Sequence, residues 1–161
     1  AVQVGGASGQ MIGPNQYGRK ICYDDLATGG AIMVLGPERN VLWVAEQFMD
    51  FFIEESCGWC TPCRAGNVLI QERLQRIRAG KGAPEDLDYL AELCDTVKKT
   101  SRCGLGQTSP NPVLTTLSSF RGLYEAKLPK EAPDGMQPSF DLAAALGEAV
   151  RVQGREPVYH G

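Results

Sequence analysis

The chain has 161 residues, 43% of them hydrophobic and 22% charged, and 16 basic against 19 acidic side chains give a net charge of −3. That length suits one compact domain or two small ones. The acidic balance and the lack of a long basic run argue against nucleic acid or an anionic membrane surface as partner, and no apolar run approaches the ~18 residues of a membrane span. No basic segment followed by an apolar one opens the chain, so no secretory signal is expected and a cytoplasmic location follows. The missing initiator Met, with Ala1 leading straight into a strand-like stretch, suggests a fragment or a processed chain. In that setting the six cysteines point to metal binding rather than to disulfides.

Residues 1–36 are rich in glycine and β-branched residues. Short apolar stretches such as Val2–Val4 and Ala31–Leu35, bounded by Gly5-Gly6 and Gly29-Gly30, predict strands and turns. Gly36-Pro37 breaks that pattern. From Asn40 the period becomes helical, with Val41, Val44, Phe48 and Phe51 as the apolar stripe. A second helix should open at Pro62, face inward with Leu69 or Ile70, Leu74 and Ile77, and stop at Gly80. The third opens at Pro84, with Glu85 and Asp86 in its first turn, a stripe of Leu87, Leu90, Cys94 and Val97, and Lys98 and Lys99 at its negative end. A fourth follows Ser109-Pro110-Asn111-Pro112 and turns Val113 or Leu114, Leu117, Phe120 and Tyr124 inward. Four such helices fold most simply as a bundle. Residues 129–139 read as a linker, followed by a short helix from about Asp141 to Val152 and a tail. The chain thus divides into segments 1–37, 38–128 and 129–161, the last expected to contact another subunit. Truncation ahead of Ala1 would leave the first segment with an unpaired sheet edge.

Cys57, Cys60 and Cys63 stand two residues apart in the run Glu55-Ser56-Cys57-Gly58-Trp59-Cys60-Thr61-Pro62-Cys63-Arg64, and Cys103 follows after 39 residues. Three thiolates on one short loop can each reach a different iron of a cubane, and a distant fourth closes the site. An up-down bundle brings both segments to the same end, each leading into a helix N-terminus where backbone N–H groups favour anions. Gly58, Gly104 and Gly106 would let the backbone approach the inorganic core, and Arg64 would offset thiolate charge or stay solvated. A four-cysteine zinc site usually shows two separated pairs, so three-plus-one favours the cubane, with a structural zinc scaffold as the alternative. Trp59-Cys60-Thr61-Pro62-Cys63 also has the look of a thioredoxin-type dithiol, but a helix precedes it and a third cysteine has no task there. Cys94 reads as core, Cys22 as buried or inert in a strand-like stretch, and His160 as a terminal surface residue. Gly5-Gly6-x-x-Gly9 is too weak for a nucleotide motif, and neither a Ser/His/Asp set nor a carboxylate pair for acid–base work is recognisable. No catalytic residue is therefore assigned.

The run Phe52–Gly66, together with Cys103-Gly104-Leu105-Gly106-Gln107-Thr108-Ser109-Pro110-Asn111-Pro112, closely resembles the flavin-bearing NADH-binding subunit of respiratory complex I. The same module occurs in the diaphorase subunit of NAD-reducing hydrogenases and in NAD-dependent formate dehydrogenases. The resemblance covers roughly residues 1–128, and Ser139-Phe140-Asp141-Leu142 and Gly154-Arg155 look more like the hydrogenase and formate dehydrogenase members. It implies an α+β fold: a small ubiquitin-like β-grasp domain, then a four-helix bundle in which Cys57, Cys60, Cys63 and Cys103 ligate one [4Fe–4S] cluster, then an extended tail. It implies further that the cluster passes single electrons between FMN, reduced by NADH in a domain not found here, and clusters of ferredoxin-like and thioredoxin-like [2Fe–2S] partner subunits. FMN and NAD(H) are expected in the full-length subunit only, so none of their binding residues carries over. Trp59 and Arg102 occupy variable positions in the family and take no assigned role.

Overall fold

The computed structural model describes residues 1–129 and, beyond them, residues 147, 150–152 and 154. A three-stranded antiparallel sheet leads into a bundle of helices. Strands β1 (Val2–Val4), β2 (Gln10–Ile12) and β3 (Ile32–Val34) lie in the order β2-β1-β3, so the first strand is central and has no free edge. Val2 pairs with Ile12 on one side and Val34 on the other. The β1–β2 connection can close only without a side chain at Gly9, where a Cβ would lie 1.8 Å from the Val4 carbonyl oxygen. Val4, Ile12 and Leu26 form a small core of their own, while Ile32, Met33 and Val34 on the edge strand are exposed.

Helix α1 (Val41–Glu54) is capped by Asn40, whose side chain accepts a 3.1 Å hydrogen bond from the Trp43 N–H. Its inner face differs from the expected stripe. Val41 and Val44 are buried and Phe48 packs half-buried against them, but Met49 and Phe52 are buried as well and Phe51 is exposed. Helix α2 (Thr61–Arg78) buries Ile70, Leu74 and Ile77, so Ile70 rather than Leu69 is the inward residue. It ends at Gly80 with φ +72°, the left-handed stop that glycine allows. Helix α3 (Glu85–Thr100) buries all four expected positions, Leu87, Leu90, Cys94 and Val97. Asp86 in its first turn points inward, where it meets Arg73 at 2.6 Å and accepts from the Ala83 N–H at 2.9 Å.

The expected fourth helix is three pieces: α4 (Gly104–Thr108), α5 (Asn111–Ser119) and α6 (Arg121–Glu125). The break at Phe120 (φ −134°, ψ 32°) has a packing cause. On one straight helix Phe120 and Tyr124 would share a face. Here Tyr124 joins the bundle core of Leu42, Met49, Ile70 and Leu117, whereas Phe120 packs against Met11, Val41 and Val44 on the sheet side. Helix α5 is the seam between the two. Thr115 Oγ1 accepts from the Met11 N–H at 2.9 Å, Asn111 Nδ2 donates to the Ser8 carbonyl at 2.7 Å, and Ser119 Oγ donates to Gln16 Oε1 at 3.0 Å. Gly147 and residues 150–152 are helical, as expected for the short C-terminal helix. The linker at 130–139, most of that helix, and His160 lie outside the described residues. Among the described residues no helix is long and apolar enough to cross a membrane.

Candidate metal centre

The loop between α1 and α2 is built by local hydrogen bonds. Gly58 takes φ +71°, a conformation that a side chain resists, and its N–H donates to Ser56 Oγ at 3.2 Å. Arg64, one turn into α2, donates from Nη1 to the Gly58 carbonyl at 2.7 Å. That bond clasps the loop to the helix. Cys60 is the N-cap residue of α2 and Cys103 that of α4, so both cysteine segments do enter helix N-termini.

Cys57, Cys60, Cys63 and Cys103 line one hollow of about 110 Å³ together with Glu55, Ser56, Trp59 and Leu105. Cys63 is buried at its base, Cys60 is half-buried, and Cys57 and Cys103 are exposed at its rim beside Trp59, itself 76% exposed. Backbone hydrogen bonding from Arg102, and next from Cys63, lowers the Cys60 pKa below its ordinary 9.0. The Ser101 hydroxyl adds a smaller lowering, although it has no hydrogen-bond partner of ordinary geometry and is one of three buried polar side-chain atoms so placed among the described residues. Cys63 Sγ has two polar neighbours, Ser56 Oγ and Asn67 Nδ2, each at 3.4 Å. Asn67 Oδ1 in turn accepts from Ser109 Oγ at 2.7 Å.

The glycines of the two loops meet different protein surroundings. No further protein atom lies within 4 Å of a Cβ placed on Gly104. A Cβ on Gly106 would stand 2.5 Å from Ser101 Oγ and 3.0 Å from Cys63 Cβ. Gly106 thus lets α4 pack closely on Ser101 and Cys63. Cys22 also departs from expectation: it is exposed in a bend, because the chain between β2 and β3 runs over the surface. Cys94 is fully buried, and desolvation pushes its thiol far above the ordinary value. Ser56, Asn67, Ser101 and Ser109 were missed by sequence reasoning. Only Asn67 carried a signal, standing four residues after Cys63 and so beside it on a helix.

Among the described residues no group of three or more His, Cys, Asp or Glu side chains is gathered closely enough to hold a single metal ion. One zinc, at ~2.3 Å from each thiolate, would need its sulfurs about 3.8 Å apart. A cubane gives each thiolate its own iron and takes a wider set. The four thiols that line the one hollow match in number the four irons of a cubane.

Residues 43–127 match the family described as NADH-ubiquinone oxidoreductase-F iron-sulfur binding region. The chain belongs to that family. Outside the iron-sulfur binding region the likeness continues. The chain is 46% identical over 149 residues to the NAD-reducing hydrogenase HoxS subunit alpha of Cupriavidus necator, covering 91% of this chain and 24% of that protein. It is 42% identical over 132 residues to the NADP-reducing hydrogenase subunit HndC of Solidesulfovibrio fructosivorans, covering 78% and 27%. In structure it is similar to an NAD+-reducing [NiFe]-hydrogenase in the H2-reduced state, with TM-score 0.77, 36% identity, and coverage of 98% of this chain and 27% of that one. The chain spans about a quarter of the length of these relatives.

Proposed function

We propose that this chain is the electron-transfer module of an NAD-linked oxidoreductase, with Cys57, Cys60, Cys63 and Cys103 holding one [4Fe–4S] cluster. The observation that carries the reading is the convergence of these four thiols, from two separate segments, on one hollow. When bound, such a cluster takes up and releases one electron at a time. The chain's own contribution is to hold the four sulfurs: Arg64 and Ser56 fix the loop, Cys63 anchors the base, and Cys57 and Cys103 remain at an open rim. That rim is where an electron partner would approach. Relatives named as subunits of NAD- and NADP-reducing hydrogenases support an NAD-reducing hydrogenase as the parent enzyme, with a formate dehydrogenase as the alternative from the sequence resemblance. In that enzyme FMN and NAD(H) would occupy the part of the subunit outside this chain, and the partners would be ferredoxin-like and thioredoxin-like [2Fe–2S] subunits. The sheet would be the β-grasp-like domain of residues 1–37, ahead of the cluster-binding bundle of 38–128.

The test is iron, sulfide and zinc analysis of anaerobically purified protein, with EPR after dithionite reduction. About four irons and four sulfides per chain, with an S = 1/2 signal that a Cys103→Ala variant loses, is the expected result. One zinc per chain with no EPR signal would replace this reading with a structural scaffold.

A further inference from the structure

Cys63 differs from the other three cysteines of the hollow. It alone of the four is buried, and two side chains, Ser56 and Asn67, stand at hydrogen-bond distance from its sulfur. A thiolate can only accept, so Ser56 Oγ–H and Asn67 Nδ2–H must both donate once the proton has left. The serine is free to do so, because its oxygen already receives the Gly58 N–H and its own proton is unspent.

The amide is the more telling of the two. Asn67 is fully buried on the inner side of α2, in line with Ile70, Leu74 and Ile77. An amide placed there costs free energy unless both ends are bonded. Its two partners are the Cys63 sulfur and Ser109, the latter equally buried. An asparagine can face a neighbour with either end. The Ser109 hydroxyl has Oδ1 at 2.7 Å against 3.3 Å for its other acceptor, the Gly106 carbonyl, and by donating to the nearer one it leaves Nδ2 for the sulfur. Ser109 follows α4, the helix that Cys103 caps, so the relay Ser109–Asn67–Cys63 joins the two cysteine-bearing segments.

Reduction of an iron–sulfur cluster adds negative charge that spreads onto its ligand sulfurs, and a hydrogen bond to sulfur favours the more negative state. Inside a protein such a bond is stronger than in water. We infer that Asn67, oriented by Ser109, is a positioning residue that raises the reduction potential of the cluster through its hydrogen bond to Cys63. This rests on the electron-transfer reading above.

The experiment is an EPR-monitored redox titration of the anaerobically reconstituted protein, with iron and sulfide counted on each sample. Asn67→Leu removes the donor at similar volume, and Ser109→Ala keeps the amide but frees it to turn. The midpoint should move to more negative potential in Asn67→Leu, and by less, in the same direction, in Ser109→Ala. The double variant should match Asn67→Leu alone, because the serine acts only through the amide. A fully loaded Asn67→Leu protein with the parent midpoint overturns the inference and leaves the electron-transfer reading intact, as does a double variant that shifts by the sum of the two. If Asn67→Leu does not assemble a cluster, Ser109→Ala decides, and an unchanged midpoint there overturns it. A parent chain without iron and sulfide removes the electron-transfer reading itself, and the inference with it.

Discussion

Gly66 sits one turn after Cys63 on the face of α2 that meets α3, and its replacement by alanine pits two effects against each other. A Cβ there would lie 2.3 Å from Val97 Cγ2, so the pair must open by about 1.1 Å to reach the near end of ordinary contact at 3.4 Å. Val97 cannot turn aside easily, because a β-branched side chain in a helix keeps one strongly preferred rotamer, and it is buried. Overpacking of this kind costs ~1–3 kcal/mol, while alanine gains ~1 kcal/mol over glycine in a helix. With the clash at the upper end of its range, the net loss should be about 1–2 kcal/mol. At ~2–4 °C per kcal/mol for a chain of this size, Gly66→Ala should lower the melting temperature by about 2–8 °C. Circular dichroism melts of the anaerobically purified protein measure it. Val97→Ala in the same chain should make the double variant less unstable than the sum of the two singles. A Gly66→Ala protein that melts at or above the parent temperature would refute the reasoning, because helix propensity alone would then be acting.

Asp86→Asn breaks the buried pair with Arg73 and should cost about 3–5 kcal/mol, read from the denaturant midpoint. Tyr124→Phe removes the buried 2.6 Å bond between its hydroxyl and Thr116 Oγ1, a loss of ~1 kcal/mol in the same assay. Alkali should destabilise the fold in two stages. Burial raises the folded pKa of Cys94 above its ordinary 9.0 and of Tyr124 above its ordinary 10.0, so the stability present below those values is lost as pH rises. Each group contributes a slope of ~1.4 kcal/mol per pH unit once its unfolded form ionises, and Cys94→Ala should flatten the slope between pH 9 and 10. Iodoacetamide on the native loaded protein should label Cys22 and spare Cys94, and peptide mass spectrometry reads both.

What could be read from the residues and what could not divide along a physical line. The three-plus-one cysteine pattern and the stripe of α3 are local: spacing within a loop and period within a helix determine them. The break at Phe120 was not legible, because it arises from two cores competing for Phe120 and Tyr124, and periodicity sees only one. The same holds for α1, where Phe48 packs toward the sheet with Val41 and Val44 while Met49 and Phe52, not Phe51, turn inward. Cys22 was misread since a short apolar-looking stretch does not reveal that the chain there crosses the surface. Asn67 and Ser109 are 42 positions apart, and only the folded bundle shows that one orients the other toward sulfur.

The three-residue strands have an equilibrium consequence through α5. A sheet this small, over a core of Val4, Ile12 and Leu26, is too slight to persist by itself. Its central hairpin depends on the Thr115 and Asn111 side chains of α5. Any opening of α5 therefore exposes β2 as well, and the amides of both should exchange with deuterium at one common free energy. Because α5 follows directly on the Cys103–Ser109 segment, a group that rigidifies the four-thiol hollow slows exchange in a strand almost a hundred positions earlier in the chain.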